Sequence, residues 1–569
     1  MKKQCFRYLF FMPCLILLTG CATIGEEARE WAASPVPESD DSPGNAYYLF
    51  FESQQNLKRG NLDLAISLMQ QAMGKDPDSV YLKRELAGLR LMNQETDTAV
   101  EIMEEILADH PNDVETLILF GRVKQNLNQQ QAAIDAFERV ITLDPFQEDI
   151  YLQLGGMYMD REEWEAAQTV FQALVDHYPG SYAGFFYLGR IGAIQDDIQA
   201  ARAHFEKTLL LEPDLVEPRL EMAALYEAEG RYDQATAIYS AVLQASPGNT
   251  QAQLALGHAY HRQGLEAQAL QLLIPLGQKS RDDPEVLRVL VRQYLDPRDY
   301  ESALIIIQGM IQGAPESSDL NYLAGVALDG SGDKQAAIEH LRRVDPNSRF
   351  FRNAAVHAAM LYQETEQLEA AIDFMRQTIE IDPGHPEFYL YLGSFYEQVD
   401  AHVEAEQALK AGLELDPRHS RLLFRLGVVY DKWEKKNDSI AAMQQVIEIE
   451  PDNANALNYL GYTYAEMGIN LDEAEDLILK ALVHKPGDGY IIDSLAWVYY
   501  KQGQYEKALP LLEEAAELVP DDPIIKEHLG DVYSKLGLME KARQSYRQSI
   551  EQGHSDMAAI EEKIRLLEP

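Results

Sequence analysis

Cysteine is nearly missing from this chain of 569 residues. There are three, Cys5, Cys14 and Cys21, and none after position 21. The body can therefore hold no disulfide and no cysteine-based metal site, and must be stabilised by packing. Positive charge is scarce as well: 49 Lys and Arg stand against 92 Asp and Glu, a net charge of −43. That balance argues against nucleic acid, because phosphate binding draws on clustered Lys and Arg. It also argues against electrostatic docking on anionic lipid. What remains is a strongly solvated acidic surface, or one that selects a basic partner. Disorder throughout is excluded, since 46% of the residues are hydrophobic and can build a continuous core.

Catalytic signatures are missing too. The chain has no glycine-rich phosphate loop, no HExxH, no GxSxG and no CxxCH. Ser331 and Lys334 have Ser-x-x-Lys spacing, yet they fall in the stretch Asp329-Gly330-Ser331-Gly332-Asp333, which reads as a turn between helices. As a calcium loop the same stretch fails, with Lys334 where glycine is required and His340 where glutamate is required. His258 and His261 lie three apart on one helix without a further ligand at supporting spacing, so no metal is expected. The chain is read as non-enzymatic, with no small-molecule substrate.

The first residues carry an address. Lys2, Lys3 and Arg7 precede an almost wholly apolar run from Tyr8 to Leu18, too short for a stable membrane span. The run ends in Leu18-Thr19-Gly20-Cys21, which resembles the bacterial lipobox. The resemblance implies cleavage between Gly20 and Cys21, with Cys21 acylated as the new N-terminus and no cofactor beyond that lipid. Ala22 stands where aspartate would signal inner-membrane retention, so the implied location is the periplasmic face of the outer membrane. Residues 21–43, with Pro35, Pro37 and Pro43, read as an acylated terminus and a flexible tether.

The body is one repeat. Prolines stand at 77, 111, 145, 179, 213 and 247, each 34 residues after the last, then at 315, 383, 417 and 451 on the same beat. The beat slips by one to Pro486 and Pro520, which places a one-residue insertion near Gly468-Ile469-Asn470. It is silent at Arg281 and Arg349, where Pro284 and Pro346 are expected to supply a turn instead. Within a period, Tyr151, Leu154, Gly155, Tyr158, Ala167, Phe171 and Pro179 resemble the tetratricopeptide repeat, a 34-residue helix–turn–helix. The first copy is degenerate, keeping Ala65, Met69, Ala72 and Pro77. The resemblance implies an all-α, right-handed superhelical solenoid of about 15 repeats over residues 44–553, preceded by the signal peptide (residues 1–20) and tether, and closed by a capping helix in residues 554–569.

In that family the first helix of each pair lines a concave groove through repeat positions 2, 5, 9, 12 and 13. Carried over to this sequence, those positions give a basic stretch of His258, His261, Arg262, Arg288 and Arg292. It reads either as a site for an acidic segment or carboxylate, or as charges neutralising Glu285 and Asp296. They also give an aromatic and amide stretch of Phe424, Asn455, Asn458, Tyr462, Tyr490, Asp493, Trp497 and Tyr500. It suits either an extended peptide or packing between repeats. The segments Asn458–Tyr462 and Asp493–Tyr500, taken with the lipobox, resemble outer-membrane lipoproteins that serve as adaptors of the periplasmic carboxyl-terminal processing protease. The implied function is a lipid-anchored protein-interaction scaffold with a protein or peptide partner in the envelope. Scaffolding of exopolysaccharide export, pilus or outer-membrane complex assembly is the alternative.

Overall fold

The computed structural model describes residues 45–567. The signal peptide, Gly20, Cys21 and the tether lie outside the described residues. Within them the chain is all-helical, with 31 α-helices and no strand. Thirty of the helices follow one another as first and second helices of fifteen repeats, from Ala46–Lys58 with Leu62–Lys75 to Pro523–Lys535 with Met539–Glu551, followed by a last helix, Met557–Leu566. Fourteen of these pairs pack together, whereas Tyr300–Gly313 packs on Glu266–Lys279 rather than on Pro284–Leu290. The chain divides into two compact units, one ending at Gly313 and the other beginning at Ala314. The first holds eight pairs; the second holds seven and the last helix.

The proline beat has a local cause. Each second helix stops two residues before its proline, which cannot extend it. Two residues beyond the proline comes a cap. Ser79, Asp113, Ser181, Asn249, Ser317 and Asn453 each accept a hydrogen bond from the third backbone N–H of the helix they open.

The turn inside each pair is more regular than the prolines. Its left-handed residue recurs at 60, 94, 128, 162, 196, 230, 264, 298, 332, 366, 400, 434 and 468, then at 503 and 537. The residue after it returns its N–H to a carbonyl five positions back, as Glu95 does to Arg90 at 2.9 Å and Lys435 to Tyr430 at 2.8 Å, the Schellman closure of a helix. This beat continues through 298 and 366, beside the two silent prolines. The insertion sits just after Gly468, where Asn470 adds a second left-handed residue before the next helix begins at Leu471.

The pairs are held by a contact with little room for a side chain. Alanine occupies the twentieth position in fourteen copies and Ser439 in the other, all 0 or 1% exposed. Glycine occupies the eighth position in nine copies, and at each a Cβ would overlap a large residue of the partner helix, such as Phe171 at Gly155 or Tyr546 at Gly530. Val291 is the bulky exception. There the first helix, Pro284–Leu290, opens into a π turn over Val291–Leu295. The second helix, Tyr300–Gly313, packs on the preceding Glu266–Lys279, where a Cβ on Gly277 or Gly313 would overlap the carbonyl of Met310 or Ile274.

Of the two turns expected at the silent beats, one is corrected. Pro284 supplies no turn; it is the first residue of its helix, where its missing N–H is harmless. Near the second silent beat the helix Lys334–Leu341 stops after eight residues, and the nine residues from Arg342 to Phe350, with Pro346 among them, bridge to the next helix.

Adjacent glycines in one helix test the packing. A Cβ on Gly155 overlaps the Phe171 ring, whereas one on Gly156 meets nothing within 4 Å. Gly155→Ala should cost about 1–3 kcal/mol. Gly156→Ala should stabilise by about 0.5–1 kcal/mol through helix propensity alone. Urea unfolding followed by circular dichroism reads both.

Candidate functional site

The basic stretch lies in the first unit and is largely neutralised where it stands. His258 Nδ1 is 3.1 Å from Glu227 Oε1, and His261 Nδ1 is 2.8 Å from Glu266. Arg262 donates to Glu301 at 2.6 Å, and Arg288 pairs with Glu285 at 2.9 Å. Arg292 is exposed, and Arg262 and Arg288 stay exposed despite their ion pairs. A carboxylate arriving here would compete with the acids already paired with Arg262 and Arg288.

The aromatic stretch, in the second unit, splits by environment. Tyr490 is 56% exposed, and Asn455 is exposed with its Oδ1 accepting from Lys485 Nζ at 2.8 Å. Phe424, Asn458, Tyr462 and Tyr500 are half-buried. Asn458 Oδ1 has no hydrogen-bond partner. Phe424 meets Tyr459 edge to face at 5.8 Å. Burial first, then Glu466, Asp493, Glu527 and Asp431, hold the Tyr462 hydroxyl far above its ordinary value. Burial with Asp531 and Tyr505 nearby pushes Tyr500 up to about 12.

Trp497 and Asp493 are not presented to a partner. Trp497 is 7% exposed; its Nε1 donates to Glu466 Oε1 at 2.6 Å, and its ring stacks on Tyr500 at 4.6 Å and on His528 at 3.9 Å. Asp493 is buried against His528. The sequence places Trp497 at a groove position, but the next repeat's His528 closes over it. The indole is packing between repeats.

The groove positions instead line a half-open cavity of about 380 Å³ one to four repeats earlier. Met360, Leu390, Tyr391 and Phe424 give it apolar walls, and Glu364, Ser394, Arg421, Arg425 and Asn455 a polar rim. Of these only Phe424 and Asn455 belong to the aromatic stretch. Met360, Glu364, Leu390, Ser394 and Arg421 sit at positions 9, 13, 5, 9 and 2 of their repeats, so the same counting rule extended upstream would have found them. Arg421 is held by Glu387 at 2.9 Å but keeps 61% of its side chain exposed. Arg425 reaches the buried Glu397 at 3.2 Å, which Lys432 also contacts. A recess about as polar as it is apolar, edged by guanidinium and amide donors, can take a large apolar side chain and bond the backbone or carboxylate beside it.

No group of three or more His, Cys, Asp or Glu suited to a metal occurs among the described residues, and no helix there is long and apolar enough to cross a membrane. Ser331 Oγ donates to the Leu328 carbonyl at 2.8 Å, and Lys334 pairs with Glu364 at 2.6 Å. Each is engaged apart from the other.

Family models described as tetratricopeptide repeat match residues 56–117, 226–292 and 362–426; 152–214 and 494–556; 114–147 and 420–453; and 442–476. The chain belongs to the tetratricopeptide-repeat family, whose fold is that of a protein–protein interaction scaffold. It is similar to the TPR repeat-containing protein PA4667 of Pseudomonas aeruginosa, at 38% identity over 69 residues, 12% of each chain. It is also similar to the TPR repeat-containing protein YpiA of Bacillus subtilis, at 22% over 325 residues, 55% of this chain and 66% of that one. The chain thus spans less than two thirds of either curated relative. Among solved structures, a tetratricopeptide repeat protein of Parabacteroides merdae matches at 15% identity and TM-score 0.38, covering 44% of this chain and 98% of that one. Yeast Tom70 matches at 13% and 0.33, covering 74% and 95%.

The two environments predict opposite responses. Trp497→Ala should cost about 3–5 kcal/mol, the loss of a buried aromatic. Tyr490→Ala should stay within about 0.5 kcal/mol. Urea denaturation of the two variants, followed by circular dichroism, measures the difference.

Proposed function

We propose that the chain is a lipid-anchored scaffold of the bacterial envelope that holds an extended segment of a partner protein in the groove of its second unit. The observation that carries this is the cavity of about 380 Å³ lined by Met360, Leu390, Phe424 and Arg421, residues at the positions by which paired helices present side chains to a ligand. The anchor is the thioether lipid on Cys21, and the location is the periplasmic face of the outer membrane. The most specific form of the reading is an adaptor that brings substrates to a carboxyl-terminal processing protease.

Two experiments test it. Cys21→Ser should release the protein from membranes and abolish incorporation of labelled palmitate; a variant that stays in the membrane fraction would remove the anchor from the account. For the groove, the acyl-free chain captures its partner from envelope extract, and purified variants are titrated against that partner. Phe424→Ala and Arg421→Glu should each weaken binding about tenfold or more, near 1.4 kcal/mol. Unchanged affinity in both, with helicity intact, would move the site elsewhere.

A further inference from the structure

We infer that the protonation of one buried histidine, His528, regulates the C-terminal wall of the groove, so that the wall is tight at neutral and mildly acidic pH and loosens in alkali. The inference rests on the proposed groove only in assigning that wall a purpose; the device itself is visible without a partner.

His528 is 4% exposed on the helix Pro523–Lys535. Its Nδ1 lies 2.9 and 3.1 Å from the two carboxylate oxygens of Asp493, itself 6% exposed on the preceding repeat. Its ring stacks on Trp497 at 3.9 Å and 15°, and the Tyr462 ring stands 6.4 Å away. On its own helix the facing groups are Glu527 and Asp531. Lys563, from the last helix, bridges both at 2.7 Å. His554 Nε2 is 2.9 Å from Glu527, and Tyr546 donates to Asp531 at 2.6 Å. Three carboxylates therefore share two principal cations, Lys563 and His528. Among these groups no other cation contacts Asp493.

That arrangement decides the charge state. Burial works to lower the His528 pKa, but Asp493 and, behind it, Asp531 and Glu527 raise it further than burial lowers it. The imidazolium is held above the ordinary histidine value. A histidine raised in the folded state contributes stability in full below about pH 6.5, and that stability is lost as pH rises through the folded value. Deprotonation leaves the Asp493 carboxylate buried without a cation and weakens the stack that fixes Trp497. Trp497 is held by Glu466 of the helix that also carries Asn455, a lining residue of the cavity, so the loosening reaches the groove wall.

Hydrogen exchange of the intact chain, read helix by helix from about pH 6 to about pH 9 and corrected for the intrinsic rate, tests this without any partner. Protection of Gly489–Lys501 and Pro523–Lys535 should fall about tenfold or more relative to Glu148–Asp160, and His528→Gln should abolish the pH dependence. If that variant fails to protect these helices at any pH, Asp493→Asn takes its place and should move the midpoint to lower pH. A regional loss that persists in His528→Gln, an unmoved midpoint in Asp493→Asn, or no regional loss in the wild type would overturn the inference. Binding lost in the groove variants with this pH profile intact, or the reverse, separates the two readings.

Discussion

Two helices that approach too closely for a side chain between them are the constraint on which the rest of the structure depends. Glycine or alanine at the eighth position and alanine at the twentieth remove the volume that would keep the pair apart, and Phe137, Phe171, Phe205 and their counterparts fill the space beside the contact. Each such contact is local to one repeat. Packing of this kind needs no disulfide, in keeping with a body that has no cysteine. Val291, the bulky residue at the eighth position, shows what happens where the constraint is broken: the pair contact is largely lost, the first helix turns π, and Tyr300–Gly313 packs on Glu266–Lys279 instead.

Charge follows from the same geometry. With the apolar stripe of the helices turned to their neighbours, most acidic residues among the described residues are exposed or half-buried, where water solvates them. The few that are buried are tied to cations, as Glu397 is to Arg425 and Lys432, and Asp493 to His528. These buried pairs cost desolvation and add little net stability, but their loss leaves an uncompensated charge inside the protein. They occur where first helices of successive repeats face each other, which is also where groove residues are aimed. Packing and recognition therefore draw on the same side chains, and a polar residue at a groove position can serve either.

The helix pairs were legible in the sequence because two signals reinforced each other. Proline marks the end of each second helix, and the glycine–alanine–aromatic pattern marks the contact within the pair. Where proline lapsed, at Arg281 and Arg349, the left-handed turn kept the period; it was not read, because Gln94, Glu162 and Glu434 do not advertise positive φ as glycine does. The π turn at Val291 was hidden because a valine is unremarkable in a helix. The groove was half legible. Counting positions reached Phe424, Asn455 and Tyr490, but Trp497 is covered by His528, a residue 31 positions later that reads as a polar surface group. Its pairing with Asp493, 35 positions earlier, has the same register as Phe424 with Tyr459. Such register pairs, one repeat plus one residue apart, carry the information that a single helix's periodicity lacks.

The central claim is that stability is a sum over neighbouring repeats rather than the property of one indivisible core. Its most direct test is a chain ended after Pro315 and followed by circular dichroism during urea titration. The account predicts roughly half of the parent's helical signal, lost in a cooperative transition of its own. A fragment that is random coil in the absence of urea would contradict it.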